Sequence, residues 1–244
     1  MCFSAFLKNA LTFRAEWCII TRDIFFILKR EVYFMRAVVA VIGKDTVGIL
    51  AKVSNICAEC NANVMDVTQT IMQDLFAMTM LIDITKCSVD YNVLADKLKE
   101  KGVRPGIWVR LLLNEDENIP NEWRISYNDC LDPSHPDALA YIRGDIERIC
   151  DWGYTLIKHD FSTFDLFGKW GFEANLRDNS MEKWHFYDQT KTSAEIVKML
   201  YQEVYDASRS NDAVIIGCNT IGHLGAGLMH LNRTGDDTSG RIWE

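Results

Sequence analysis

Two hydrophobic periods alternate along this chain, and the points where one gives way to the other divide it into segments. Ala37-Val-Val-Ala-Val-Ile42 is an unbroken apolar run and reads as a buried strand. Gly43-Lys-Asp-Thr-Val-Gly48 reads as a turn into a helix, whose apolar stripe is Ile49, Val53, Ile56 and Cys57 at three- and four-residue spacing. Val64 to Thr70 alternates like a half-buried strand, Ala77 to Ile84 is a second, and Gln73-Asp74 is suited to the hairpin between them. Asp90 to Glu100 predicts another helix, with Leu94 and Leu98 on one face. The order β-α-β-β-α makes residues 36–102 a compact α+β unit.

After Lys99-Glu-Lys-Gly102 the pattern changes to strand–helix alternation. Val103 to Leu113 predicts a strand. Pro136 to Cys150 predicts a helix opened by Ser134 or His135, with Pro136 suited to the first turn. Tyr154 to Phe161, Ala213 to Cys218 and Leu228 to Arg233 are further strand segments, and Ser193 to Ala207 is a helix with Ile196, Leu200 and Val204 on its stripe. Such alternation argues for a parallel α/β sheet over 103–244.

Residues 1–35 fit neither pattern. Cys18 to Leu28 is apolar but interrupted by Arg22 and Asp23, so it reads as an amphipathic helix or an edge strand, and periodicity leaves both open. The same charges argue against a signal peptide. Arg30-Glu31-Val32 can be encoded with a purine-rich ribosome-binding sequence just ahead of Met35, so Met35 is expected to be the native start and residues 1–34 a translated leader.

A net charge of −8 disfavours a nucleic-acid binder, and no apolar run approaches a bilayer span. The eight cysteines are scattered, as expected for reduced thiols of a cytoplasmic protein. Cys57-Ala-Glu-Cys60 has redox or zinc spacing, but it lies in a helical pattern without a second Cys/His pair, and the histidines lack ligand spacing. Neither a metal nor a cofactor is expected.

Two acidic signatures carry candidate chemistry. Tyr154-Thr-Leu-Ile-Lys-His-Asp160 and Asn232-Arg-Thr-Gly-Asp-Asp237 each place an acid just after an apolar run, where a parallel strand would end. Catalytic groups of (β/α) barrels sit at such ends, and two carboxyls converging there can cleave a glycosidic bond. Strand-end capping for Asp160 and a turn for Asp236-Asp237 are the bland alternatives.

Two resemblances add to this. Met35-Arg-Ala-Val-Val-Ala-Val-Ile-Gly-Lys-Asp-Thr-Val-Gly-Ile-Leu50, with Asp66-Val-Thr-Gln-Thr-Ile-Met-Gln-Asp74, closely resembles the small stand-alone ACT-domain proteins. The resemblance implies a ferredoxin-like fold, here βαββα without its last strand. It also implies an amino-acid ligand near the strand-to-helix turn at Asp45, Thr46, Val47 and Gly48, with Asn61 and Asn63 nearby, and a homodimer. Turn chemistry is the competing reading: Gly48 would permit close approach, and Asp45 would cap a helix.

Arg104-Pro-Gly-Ile-Trp-Val-Arg110, Asp151 to Asp160, Gly217-Cys-Asn-Thr-Ile-Gly-His223 and Arg233-Thr-Gly-Asp-Asp-Thr238 resemble, in order and spacing, the α-galactosidase-like glycoside hydrolases of clan D. The resemblance implies a partial barrel of about four parallel strands, roughly half of a usual barrel. It makes Asp160 the nucleophile of a retaining mechanism and Asp237 the acid/base, with Asp236 as runner-up. Arg233, Cys218 and Asn219 match positions lining the sugar, and Lys158 shares Asp160's side of the strand. Trp108 is suited to stacking on a sugar, with core packing as the alternative.

The expected architecture is therefore α/β and α+β: a truncated ACT-like domain at 36–102, then a partial barrel at 103–244. Hydrolysis of an α-galactoside is expected to be weak or absent, because the missing strands would supply much of the sugar site. The alternatives are an amino-acid-binding ACT module with an inert C-terminal segment, and a chimera without function, joined near Gly102.

Overall fold

A computed structural model describes residues 36–87, 89–125, 129–168, 185–209 and 212–233, together with the backbone of 16–23. The chain divides into two compact units, one drawn from Met1–Trp108 and Ile149–Leu156, the other from Val109–Arg148 and Ile157–Glu244.

The first unit is the α+β pattern read from the sequence. Its strands are β1 (Glu16–Asp23), β2 (Arg36–Lys44), β3 (Asn63–Met72), β4 (Leu75–Asp83) and β5 (Val103–Val109). Its helices are α1 (Ile49–Glu59) and α2 (Tyr91–Glu100). The strands stand in the order β3-β4-β2-β1-β5. β2 alternates buried and solvent-facing residues, so Ala37, Val39 and Val41 point into one apolar layer. Phe76, Met78, Met80 and Ile82 of β4 join them, and Ile49, Val53, Ile56 and Leu98 close the core. Each fully buried large apolar side chain contributes roughly 1.5–3 kcal/mol. β3 and β4 form the expected hairpin, with Gln73 in the left-handed conformation at φ 60°.

β2 is flanked on both sides. β4 pairs with it antiparallel, and on the other side β1 does the same, from Trp17 opposite Ile42 to Asp23 opposite Arg36. The segment that periodicity left open between helix and edge strand is thus a strand over Glu16–Asp23, and it lies parallel to β5 on its far side.

The second unit carries α3 (Pro136–Asp151), whose last residues belong to the first unit, β6 (Leu156–His159), α4 (Ser162–Phe167), α5 (Ser193–Ser208), β7 (Val214–Gly217) and β8 (Leu231–Asn232). β7 and β8 are parallel. His159 O accepts from Cys218 N, and Val109 O, at the end of β5, accepts from Asp160 N. With the β7–β8 pair, these bonds set β6, β7 and β8 in one sheet, as in a partial (β/α) barrel. α5 opens with a capping box: Glu195 N donates to Thr192 Oγ1, and Thr192 N donates to Glu195 Oε2. At the start of α3, His135 Nδ1 accepts from Asp137 N. Among the described residues no helix is long and apolar enough to cross a membrane.

Candidate functional site

Two places carry the residues singled out from the sequence, one in each unit. In the first unit, the turn after β2 reaches α1 through Gly48, at φ 92°. An added Cβ there would meet no atom within 4 Å, so glycine is required for its backbone conformation and not for close approach. Asp45 does not cap the helix: Gly48 is the N-cap residue, and it has no side chain to offer the first amides. Asp45 N donates to Asp74 O, which ties the turn to the β3–β4 hairpin. Thr46 and Val47 are exposed, Val47 completely. The first turn of α1 carries no acidic side chain, so its positive end is not neutralised locally.

Asn61 and Asn63 lie at the other end of the same helix. Asn61 follows the C-cap in the left-handed conformation, at φ 56°, and its Nδ2 donates to Lys86 O. Asn63 begins β3. Eleven helical residues separate the two groups, a distance of about 16 Å at 1.5 Å per residue. Within one chain the turn 45–48 and the two asparagines are not brought together.

In the second unit, Asp160 sits just beyond the end of β6 and is buried. Its Oδ1 accepts from Phe161 N, and its Oδ2 lies 3.6 Å from Lys158 Nζ, on the same side of the strand as the alternation requires. Cys218, just beyond β7, also meets Asp160: burial raises its thiol above the ordinary range, and the neighbouring carboxylate adds to this. Arg233 Nη1 donates to Cys218 Sγ at 3.5 Å. Lys158, Asp160, Cys218 and Arg233 thus converge at the ends of β6, β7 and β8. Asn219 is next in the chain, but its side chain is engaged in structure: Oδ1 accepts from Phe164 N, and its backbone carbonyl accepts from Thr163 N. Asp236 and Asp237 lie outside the described residues. Trp108 belongs to the first unit, half-buried near the end of β5.

Residues not singled out from the sequence complete this cluster. Arg110 donates from Nε and Nη2 to Asp165, whose side chain is fully buried. The Arg110 guanidinium also stands 4.7 Å from the centre of the Phe161 ring. Phe161 adopts φ 66°, an uncommon conformation for a bulky residue, and Asn219 adopts φ 48°. Two strand ends are therefore each followed by a left-handed residue, and such strain concentrates at functional sites. Arg110 closes the motif that begins at Arg104, which was the available signal. Asp165 had none, because its partner is 55 positions away.

His159, between Lys158 and Asp160, is fully buried, and neither ring nitrogen has a hydrogen-bond partner among the described residues. Burial lowers its pKa to about 4, against the opposing pull of Asp160. It packs edge-on to Tyr201, with ring centroids 6.1 Å apart. Among the described residues no group of three or more His, Cys, Asp or Glu could hold a metal ion.

The comparisons with known proteins divide as the chain does. The ACT-domain family model matches residues 36–111. A UPF0237 protein of Clostridium acetobutylicum is 44% identical over 87 residues, which is 36% of this chain and 94% of the relative. A UPF0237 protein of Methanocaldococcus jannaschii is 47% identical over 81 residues, 33% of this chain and 89% of the relative. A solved structure of an alpha-galactosidase from Thermus thermophilus, in complex with stachyose, aligns over 83% of this chain with 11% identity and a TM-score of 0.45. This chain covers 56% of that protein, and a likeness so slight carries no argument about activity. The alignments with the two UPF0237 proteins take in about a third of this chain and nearly the whole length of those relatives. The chain belongs to the UPF0237 family, and its residues 36–111 are an ACT domain.

Proposed function

We propose that the chain acts as a small-ligand-binding regulatory module, with an amino acid held at the turn Asp45–Gly48 and two copies associated through the ACT domain. The observation that supports this reading most is the turn itself. Its left-handed Gly48 delivers the chain to the start of α1, whose first turn carries no acidic side chain and whose positive end suits a carboxylate. Asp45 supplies a negative group for the ammonium end of the same ligand. Scattered reduced thiols fit a cytoplasmic location. Calorimetric titration of the whole chain with individual amino acids tests the proposal. One of them should bind saturably, and Asp45→Ala should weaken it about tenfold or more, the loss of one charge-assisted hydrogen bond. Absence of binding by every amino acid would overturn it.

A second reading rests on a separate observation, the convergence of Lys158, Asp160, Cys218 and Arg233 at neighbouring strand ends. It makes the second unit a retaining α-galactosidase-like hydrolase, with Asp160 as nucleophile, Asp237 as acid/base, Asp236 as its alternative, and Lys158, Arg233, Cys218 and Asn219 binding the sugar. Release of the leaving group from a chromogenic α-galactoside, abolished by Asp160→Asn, is its test. Turnover indistinguishable between the two proteins would remove the reading.

A further inference from the structure

The core of the first unit is not closed. Between the sheet and the two helices lies a partly open pocket of about 190 Å³, bounded by β2, α1, the end of β4, Ile84, Cys87, Val89, Tyr91 and α2. Ala37, Val39, Ile56 and Leu98 form its apolar walls. Cys57, Cys60 and Cys87 also face it. Among the described residues that line it, none carries an Asp, Glu, Lys, Arg or His side chain. Burial raises the thiol of Cys57 to about 11 and raises that of Cys60 as well, so neither adds charge at neutral pH. A close-packed core normally leaves few voids larger than a water molecule. An apolar void of roughly 150 Å³ stays dry and accepts benzene or xenon, and this one is no smaller.

The walls are braced. Tyr91 stacks on Trp152, with centroids 5.9 Å apart, and its carbonyl accepts from Tyr154 Oη. Asn61 Nδ2 holds the Lys86 carbonyl beside Cys87. Collapse would have to break these contacts, which is a physical reason for the space to persist.

We infer that this cavity is a second ligand site, distinct from the turn at Asp45–Gly48, and that it takes a neutral apolar molecule or group the size of one aromatic ring. An amino-acid zwitterion or a sugar is excluded by the same lining: each would bury charges or hydroxyls against walls whose polar side chains are three thiols and one phenol. The inference does not depend on amino-acid binding at the turn, because the two sites use different residues and opposite ligand chemistry.

The test uses the whole chain, with toluene and xenon as probes. Both should bind saturably, toluene should raise Tm by a few degrees, and the NMR signals that move should be those of Val39, Ile56, Leu94 and Leu98. An amino acid bound at the turn would instead move Thr46, Val47 and Gly48. Ala37→Ile puts extra carbons into the void from a strand position suited to a branched residue. It should raise Tm without ligand and abolish the toluene effect. Ala62→Val does the same from another wall and serves if Ala37→Ile does not fold. Xenon shifts that map elsewhere in the wild-type chain, or a toluene effect unchanged in a folded filled variant, would overturn the assignment and leave a packing defect only.

Discussion

Arg110 and Asp165 form a forked ion pair inside the second unit, with Nε and Nη2 of the guanidinium 2.9 and 2.5 Å from Oδ1. Burial raises the carboxyl's pKa, and the guanidinium opposes that rise. Arg110 keeps about a quarter of its side-chain exposure, so water compensates part of any loss. Asp165→Ala should therefore cost about 2–3 kcal/mol, the low end for a broken buried pair. Removing both charges in Arg110→Met/Asp165→Leu should recover most of it. Urea unfolding of the three proteins measures this, and a double variant less stable than the single would show that the pair contributes net stability.

His159 sets a pH dependence. Its folded pKa, lowered by burial to about 4, lies below the ordinary value of 6.5. As pH falls below 6.5 the unfolded chain takes up a proton that the folded chain refuses until about 4. Stability from this group is therefore complete above pH 6.5 and declines as pH falls towards 4, by up to about 1.4 kcal/mol per pH unit. His159→Phe should remove one proton from the linkage and flatten the melting curve against pH in that window. Because neither ring nitrogen has a partner among the described residues, the same variant should be as stable as wild type at pH 7, or more so. A substantial loss at pH 7 would mean that a water or another polar group satisfies the imidazole.

The cap of α5 gives a smaller, cleaner effect. Thr192→Ala removes the hydroxyl that accepts from Glu195 N and leaves that amide to water. The expected cost is about 1 kcal/mol. Glu195→Ala should cost a similar amount, and the two should not be additive because they share one box. Thermal unfolding of the single and double variants reads this.

Much of this fold was legible because its elements bury one face each. The β2 run, the α1 stripe and the 64–84 hairpin emerge within a few residues of their observed ends, and Ile196, Leu200 and Val204 do line the buried side of α5. The strand ends were legible too: the i, i+2 rule placed Lys158 beside Asp160. The Arg110–Asp165 pair was not, since it joins distant residues and has no periodic trace. The separation of Asn61 and Asn63 from Gly48 was also missed, because closeness in sequence says nothing of which end of a helix a residue occupies. The cavity was invisible for a similar reason. Cys57 and Cys60 suggested a metal or redox pair by their spacing, yet what distinguishes them in the structure is the space they face.

Gly48 offers a test of the turn independent of any ligand. At φ 92° a side chain is strained whatever the room around it. Gly48→Ala should cost about 1–2 kcal/mol, although nothing within 4 Å would collide with the new Cβ. A neutral effect would mean that the turn relaxes to another conformation. Calorimetry on the variant would then show whether amino-acid binding survives that change.

β1 holds an edge of the ACT sheet. In the sheet of the first unit it occupies the edge of β2 opposite β4, antiparallel, and it separates β2 from β5. Yet the ACT family model continues to residue 111, through all of β5. One edge of β2 thus has two claimants in the same chain: β1, which holds it, and β5, which the family match includes. A chain beginning at Met35 loses β1, and its β2 edge would present unpaired amides and carbonyls to solvent. If β1 is integral, the amides of Ala37 to Ile42 that face it should exchange with solvent much faster in the shortened chain, and the protein should associate through the exposed edge. If β5 moves in, protection at β2 should be retained, and new cross-strand contacts between β2 and β5 should appear in NOE spectra. Unchanged protection with no β2–β5 contacts and no association would show that β1 contributes nothing at this edge. The first result would make residues 16–23 a working part of the domain, and the second would make them a removable insertion that the ACT sheet can do without.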